Sequence, residues 1–283
     1  MEIAVSQPVT GIKLSPSAVL SEAWRLYKRL FARSVLMGAI VFGIVQLLDA
    51  LAVAEHNVLL LNLLTVLLTM TGLALLQGGL VEIVRGLHVD GNDRVSVAQA
   101  FRRASGRLSK LTRVGVYTGL GVGLGTLAFV VPGQVLWTRW AVGVPVAMLE
   151  DGSPSDALRR SNAIVKGNGW NVFTVLFLCG VLEVPIAVPL VLVGTHTGPF
   201  GRWIALTLAF ALTAPFLAHA LIVVYYALVE PGKPVVLAAG SQWQSVWDVQ
   251  DGRERPAAPP QTERIEDEYA RKFDKRAKQW DEN

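Results

Sequence analysis

The residue types that could carry out chemistry are sparse in this chain and do not form a catalytic motif. The four histidines, His56, His88, His196 and His219, lack the His-Glu-x-x-His spacing with which a helix presents two zinc ligands. No Gly-x-Ser-x-Gly sequence is present to expose a nucleophilic serine on a sharp turn. The single cysteine, Cys179, lies inside an apolar stretch, where a thiol is inert. The sequence therefore predicts no enzymatic activity, no metal site and no cofactor.

Four of the ionisable residues inside long apolar stretches are candidate functional residues, because a charge there is costly and is usually paired or functional. They are Asp49, Arg139, Glu183 and His219. Arg139 and Glu183 could neutralise each other across two helices, with Asp49 as a second candidate partner. Binding of a polar or anionic ligand is the alternative for this pair. His219 is a candidate proton relay, although a lone histidine in such a helix more often forms a hydrogen bond with a neighbouring helix.

Glycine recurs every four residues within one apolar stretch, at Gly115, Gly119 and Gly123. On a helix this spacing puts the three residues on one face, where a second helix can approach closely. The pattern predicts a helix packing face, either within the chain or between two copies in a homo-oligomer.

The elements that must position these residues are predicted to be membrane-spanning helices. Of the 283 residues 52% are hydrophobic and 17% are charged, whereas a typical soluble domain is about a quarter charged. A bilayer core about 30 Å thick is crossed by roughly 20 apolar residues in a helix. Six stretches meet this requirement and group into three hairpins with short outer turns: 34–54, 58–84, 114–131, 133–149, 171–193 and 203–229. We predict an all-α integral membrane protein with six transmembrane helices.

The distribution of basic residues predicts the orientation of these helices. The segments before the first, third and fifth stretches are rich in Lys and Arg, whereas the opposite turns contain Arg202 alone. Because basic loops stay in the cytoplasm, both termini are predicted to be cytoplasmic, in the cytoplasmic (inner) membrane. The net charge of +4 is too small to indicate a nucleic-acid partner. Anionic lipid of the inner leaflet is the partner that this charge distribution favours.

A short motif recurs in the three basic segments. Ser15-Pro-Ser, Ser96-Val-Ala and Ser153-Pro-Ser each begin with a helix-capping serine, and two of them place proline at the first helical position. The pattern predicts a cytoplasmic amphipathic interfacial helix before each hairpin, within residues 1–33 and near 96–111 and 153–167. The alternative is that basic loops simply look alike. Eight basic residues are predicted to face lipid: Arg25, Lys28, Arg29, Arg102, Arg103, Arg107, Arg159 and Arg160.

One part of the chain resembles a known family. The string Arg-Trp-Ala-Val-Gly-Val-Pro-Val-Ala-Met-Leu-Glu at 139–150, with Gly-Ser-Pro-Ser-Asp-Ala-Leu-Arg-Arg-Ser at 152–161, is similar to the signature of a six-span membrane domain. That domain is found beside some glycerophosphodiester phosphodiesterases and also occurs as free-standing bacterial and archaeal proteins. The resemblance extends over about residues 15–235. It implies the six-helix fold but no activity, because the phosphodiesterase chemistry belongs to a separate soluble barrel, which the 43 residues after Gly240 are too few to form.

These observations lead to three expected regions and two functional hypotheses. The regions are a cytoplasmic segment 1–33, a transmembrane domain 34–240 and a cytoplasmic tail 241–283, whose charged amphipathic helix could bind a protein partner. The first hypothesis is a non-enzymatic membrane protein that organises inner-leaflet lipid or partner proteins. The second is a transporter or exporter subunit for a small amphiphile or lipid, suggested by Arg139, Glu183 and the prolines within the last three stretches.

Overall fold

The computed structural model describes residues 13–54, 58–90 and 95–230, and these ranges contain helices and no strands. The chain divides into two compact units, 1–246 and 247–283, and all described residues belong to the first. The predicted tail helix therefore lies outside the described residues. The described helices are α1 (Pro16–Arg29), α2 (Phe31–Ala54), α3 (Val58–Asp90), α4 (Val97–Gly106), α5 (Leu108–Ala128), α6 (Val130–Arg139), α7 (Gly143–Leu149), α8 (Pro154–Val165), α9 (Gly169–His196) and α10 (Gly198–Val229).

Four of these helices, α2, α3, α9 and α10, are long and apolar enough to cross a membrane. The qualifying stretches are Phe31–Leu48, Leu63–His88, Gly169–Gly194 and Gly198–Val229. Their outward side chains are apolar, as at Ile44, Leu63 and Leu192, which are largely exposed. A continuous apolar surface of this kind is stable in lipid and unfavourable in water. The prediction of an all-helical protein is confirmed, and its apolar helices fit a protein embedded in a membrane.

The middle hairpin differs from the predicted one. Helix α5 ends at Ala128, and the extended backbone of Phe129 forms the turn, so Pro132 lies in the first turn of α6 rather than in the connection. Residues 133–149 do not form one continuous helix, because the chain leaves the helical path between α6 and α7. Pro145 explains this break: it has no N–H to donate to the carbonyl of Ala141, and its ring clashes with a straight helix there.

Helix α10 lies at the centre of the fold, where it contacts α1, α2, α3, α7, α8 and α9. Its packing against α2 depends on small residues, since a Cβ atom added at Gly38 would lie 2.9 Å from the Ala211 Cα. Further along the same pair, Phe42 stacks on Phe210 and the Trp203 indole N–H donates to the Gly43 carbonyl at 2.8 Å. These contacts fix the position of α2 along the axis of α10.

The three helices that begin at the recurring serines share one register. Ser96 and Ser153 accept a hydrogen bond from the third residue of their helices in a capping box, which confirms the predicted caps. The Ser15 side chain makes no such bond. Eight positions after the serine, all three helices carry a small residue with no exposed surface: Ala23, Ala104 and Ser161. Each of α1, α4 and α8 therefore turns the same face toward the longer helices.

Candidate functional site

Arg139 and Glu183 do not form the neutralising pair that sequence reasoning offered. Arg139 ends α6 with an exposed side chain, and its carbonyl accepts a hydrogen bond of 2.9 Å from the Ser161 hydroxyl of α8. Glu183 lies in α9 at a cavity bordered by α1 and α10. Among the residues that the structure describes, no salt bridge joins Arg139 to Glu183, and Arg139 does not line the cavity at Glu183. The side chain of Asp49 lies outside the described part.

His219 is a buried structural residue in this arrangement. Its Nε2 lies 2.9 Å from the Ser34 hydroxyl of α2, and its ring meets the edge of the Tyr27 ring. Its side chain is fully buried, and its Nδ1 has no hydrogen-bond partner among the described residues. The Ser34 contact is the interhelical hydrogen bond that the sequence favoured over a proton relay.

The glycine face of α5 meets α3 over part of its length. A Cβ atom at Gly115 would lie 3.0 Å from the Met70 carbonyl oxygen, and one at Gly119 would lie 2.7 Å from the Met70 sulfur. Nothing lies within 4 Å of the corresponding position at Gly123. Gly115 and Gly119 therefore allow close packing within the chain, whereas Gly123 borders open space.

That open space is a cavity of about 430 Å³ between α3, α5, the α6–α7 segment and α10. Its walls are mainly apolar, with Trp137 and Trp140 on one side and Gly119 and Gly123 on another. Gln77 also lines it, and the Gln77 Nε2 has no hydrogen-bond partner among the described residues. Such a cavity has the size and lining of a site for a small, mostly apolar molecule.

Several of the basic residues that were predicted to face lipid also have carboxylate partners within the protein. Arg25 pairs with Glu22 at 3.2 Å, and Arg103 reaches Glu82 of α3 at 3.4 Å. Arg159 pairs with Asp156 on the exposed side of α8. Hydrogen bonds from Ser153, together with Arg159, lower the pKa of Asp156 to about 2. A basic side chain that is paired with a carboxylate attracts an anionic membrane surface less strongly than an unpaired one.

Arg107 and Lys110 donate hydrogen bonds to backbone carbonyls at the C-terminal end of α7. The Arg107 guanidinium donates to the Ala147 carbonyl at 3.2 Å, and the Lys110 ammonium donates to the Glu150 carbonyl at 3.0 Å. These carbonyls belong to the last turn and cap of a helix, which have no partner within the helix itself. Partial burial and repulsion from Arg107 lower the pKa of Lys110. Arg107 therefore has a structural role in addition to its charge.

Glu150 joins three elements at this end of the molecule. Its carboxylate accepts a hydrogen bond from Arg160 of α8 at 3.1 Å and another from the Tyr225 hydroxyl of α10 at 3.1 Å. Sequence reasoning did not assign Glu82 or Glu150 as partners. The acidic pair Glu150-Asp151 before the third motif was the only feature of the sequence that pointed to Glu150. Its contact with Tyr225 could not be predicted from it, because the two residues are far apart in the chain.

Lys28, Arg102 and Lys166 are exposed cations that have no carboxylate partner among the described residues. Each belongs to a different copy of the motif, and Lys28 and Lys166 occupy the same position relative to their serines. The Lys28 ammonium lies 5.8 Å from the centroid of the Trp24 ring. These side chains form the basic surface that remains open to a partner.

The chain matches no family model, no curated protein and no solved structure. The resemblance to the six-span membrane domain therefore rests on the motif at residues 139–161.

Proposed function

We propose that this chain is a non-enzymatic protein of the cytoplasmic membrane whose six segments cross the bilayer, with both termini in the cytoplasm. In addition to α2, α3, α9 and α10, the two segments that would cross the membrane are α5 and the interrupted α6–α7 segment. The apolar tip between α5 and α6 supports this, because Leu127, Phe129 and Val131 are 84%, 76% and 71% exposed. Leu127 and Phe129 would lie in lipid and Val131 at its outer interface, which removes a large unfavourable contact with water. The resemblance of the motif to the six-span domain supports the same topology.

Cysteine labelling tests the crossing of the middle hairpin. Val131→Cys is expected to react with a membrane-impermeant maleimide in intact cells, and Arg102→Cys only after the cells are permeabilised. Thr197→Cys, between α9 and α10, is the positive control for the outer side, and Cys179 contributes no background because it is buried. Protection of Val131→Cys on both sides would indicate a hairpin that enters the membrane and returns, and would contradict six crossings.

The function that we propose is the binding of anionic inner-leaflet lipid by the three short helices, which in turn organises lipid or partner proteins around the molecule. One observation carries this proposal: each of α1, α4 and α8 buries one face in a common register, while Lys28, Arg102 and Lys166 contribute one unpaired cation for each copy of the motif. A basic side chain near an anionic membrane surface contributes about 1 kcal/mol to binding. Three such cations on one side of the protein make a multivalent surface for anionic head groups.

The triple variant Lys28→Gln, Arg102→Gln, Lys166→Gln is expected to bind phosphatidylglycerol at least about tenfold more weakly, because each cation is worth about fivefold in affinity. Retained phosphatidylglycerol and phosphatidylcholine are measured by lipid extraction from protein purified in a neutral detergent. The matched control, Arg25→Gln, Arg103→Gln, Arg159→Gln, removes the same charge from residues that are paired with carboxylates of the protein. Equal loss in both variants would show that net charge alone attracts lipid, and unchanged retention would reject the proposal.

A transporter for a small amphiphile or lipid is the second candidate. The cavity of about 430 Å³ supports it, since the cavity lies among helices that include the interrupted α6–α7 segment. Flux of an amphiphile in proteoliposomes, abolished by filling the cavity with Gly123→Phe, would favour this candidate over lipid organisation.

A further inference from the structure

A second cavity lies between α1 and the α9–α10 hairpin. It has a volume of about 680 Å³ and is lined by Trp24, Tyr27 and Phe31 on one side and by Glu183, Ile186 and Phe216 on the other. We refer to it as the α1 groove. Helices α9 and α10 are antiparallel and touch at Gly194 and Ala205. Glu183 and Phe216 lie the same number of residues from that contact, one on each helix. They are therefore at the same height along the hairpin axis.

Glu183 is the polar group that distinguishes this groove. No hydrogen bond or ion pair to the Glu183 carboxylate exists among the described residues, although the Ser21 and Tyr27 hydroxyls of α1 also line the groove. The Glu183 side chain is half-buried, and holding a carboxylate without a partner among apolar side chains is costly. A cation or a hydrogen-bond donor that binds the carboxylate removes this cost. The surroundings of Glu183 are otherwise apolar: Leu182 and Ile186 flank it on α9.

The opposite wall of the groove consists of aromatic rings. Trp24 stacks on Tyr27 with centroids 5.8 Å apart, and Tyr27 meets the edges of Phe31 and Phe216 at 5.4 and 6.0 Å. The Tyr27 hydroxyl donates to the Leu212 carbonyl at 2.8 Å, which holds this cluster against α10. Faces of aromatic rings attract cations, and the Trp24 ring already has the Lys28 ammonium 5.8 Å from its centroid.

The groove is continuous with the lipid-facing surface of α9. Ile186, Leu192 and Val193 are exposed along this helix. A ligand with an alkyl chain can therefore place the chain on α9 while its head group lies at Glu183.

We propose that the α1 groove binds a cationic amphiphile, an alkyl amine or alkyl ammonium compound, with its nitrogen between the Glu183 carboxylate and the aromatic rings of α1. The negative charge of Glu183 selects a cation over an anion, and the rings of Trp24 and Phe216 favour an organic ammonium over a hydrated metal ion. This binding site is separate from the basic surface formed by Lys28, Arg102 and Lys166, whose charge attracts anions.

The probe that tests the proposal is radiolabelled dodecyltrimethylammonium, added below its micellar concentration to the full chain in phosphatidylcholine nanodiscs. Saturable binding above that of empty nanodiscs is expected, with at least a tenfold loss of affinity in Glu183→Gln and a several-fold loss in Trp24→Leu. Glu183→Asp is expected to retain part of the affinity. Asp151→Asn, which neutralises a fully exposed carboxylate outside the groove, is expected to bind as the unmodified chain does.

Each variant is first compared with the unmodified chain by thermal unfolding, so that a loss of binding is read only from folded protein. Binding that is unchanged in Glu183→Gln overturns the proposal, as does the absence of saturable binding in the unmodified chain. Dodecanoate has a twelve-carbon chain and the opposite charge. If it binds the groove as tightly as the ammonium compound, the site selects the alkyl chain or an anion, and the proposal is wrong.

Discussion

Gly38→Ala is expected to destabilise the protein by about 1–3 kcal/mol, the usual cost of forcing extra atoms into a packed interface. The added Cβ atom would meet the backbone of α10, at 2.9 Å from the Ala211 Cα and 3.1 Å from its carbonyl oxygen. Backbone atoms in a helix cannot rotate away as a side chain can, so α2 and α10 must separate. This loss exceeds the gain of up to about 1 kcal/mol that alanine brings to a helix. Gly38→Leu is expected to abolish the folded state.

Gly43→Ala is the matched control, since Gly43 lies on the same helix and faces the same neighbour. A Cβ atom there would meet the Thr207 methyl group at 3.9 Å, which is ordinary van der Waals contact. Thermal unfolding of both variants in one detergent measures the difference. If Gly43→Ala were as destabilising as Gly38→Ala, the effect would come from glycine flexibility rather than from contact with Ala211.

Replacing Glu150 by alanine is expected to cost about 2–3 kcal/mol, because it leaves both Arg160 and Tyr225 without their shared acceptor. Removing one partner from a fully buried ion pair costs about 3–5 kcal/mol. The Arg160 and Glu150 side chains are 18% and 24% exposed, so the expected loss is somewhat smaller. Loss of this contact frees the end of α7 from α8 and α10, and cooperative unfolding is expected to begin there. Denaturation in mixed micelles provides the measurement.

The adjacent arginine supplies a control on the same helix. Arg159 pairs with Asp156 across side chains that are 79% and 46% exposed, so Arg159→Ala is expected to cause no measurable loss of stability. A double-mutant cycle between Glu150→Ala and Arg160→Ala should show coupling, since the two side chains are in direct contact. Independent effects of the two substitutions would show that Glu150 does not act through Arg160.

The helix starts were predictable because their signals are local. Ser96 with Gln99 and Ser153 with Asp156 lie three residues apart and satisfy the first N–H groups of their own helices. The break before α7 has an equally local cause in Pro145, yet hydropathy alone indicated one continuous stretch there. The apolar composition of a segment indicates how much of its surface must be buried away from water. It does not indicate whether the backbone hydrogen bonds of a helix can continue through a proline.

The partners of the charged residues were not predictable in the same way. Arg102-Arg103 and Arg159-Arg160 have the same sequence pattern. In each pair the second arginine reaches a carboxylate outside its own helix, Glu82 for Arg103 and Glu150 for Arg160. Which arginine of a pair faces inward depends on how α4 and α8 are rotated against the longer helices. Arg139 and Glu183 were candidates for each other because both lie in apolar stretches, and the arrangement of α6, α8 and α9 places them apart.

The amino-acid sequence by itself determined the class of this protein and the position of most of its helices, because burial of apolar side chains and local hydrogen bonds depend on composition and short-range spacing. Only the tertiary structure decided which charges are neutralised inside the protein and which remain exposed. It also brought Glu183 to the aromatic residues of α1, although more than 150 positions separate them in the chain. That contact arises from the packing of α1 across α9 and α10, which depends on the shapes of all three helices together.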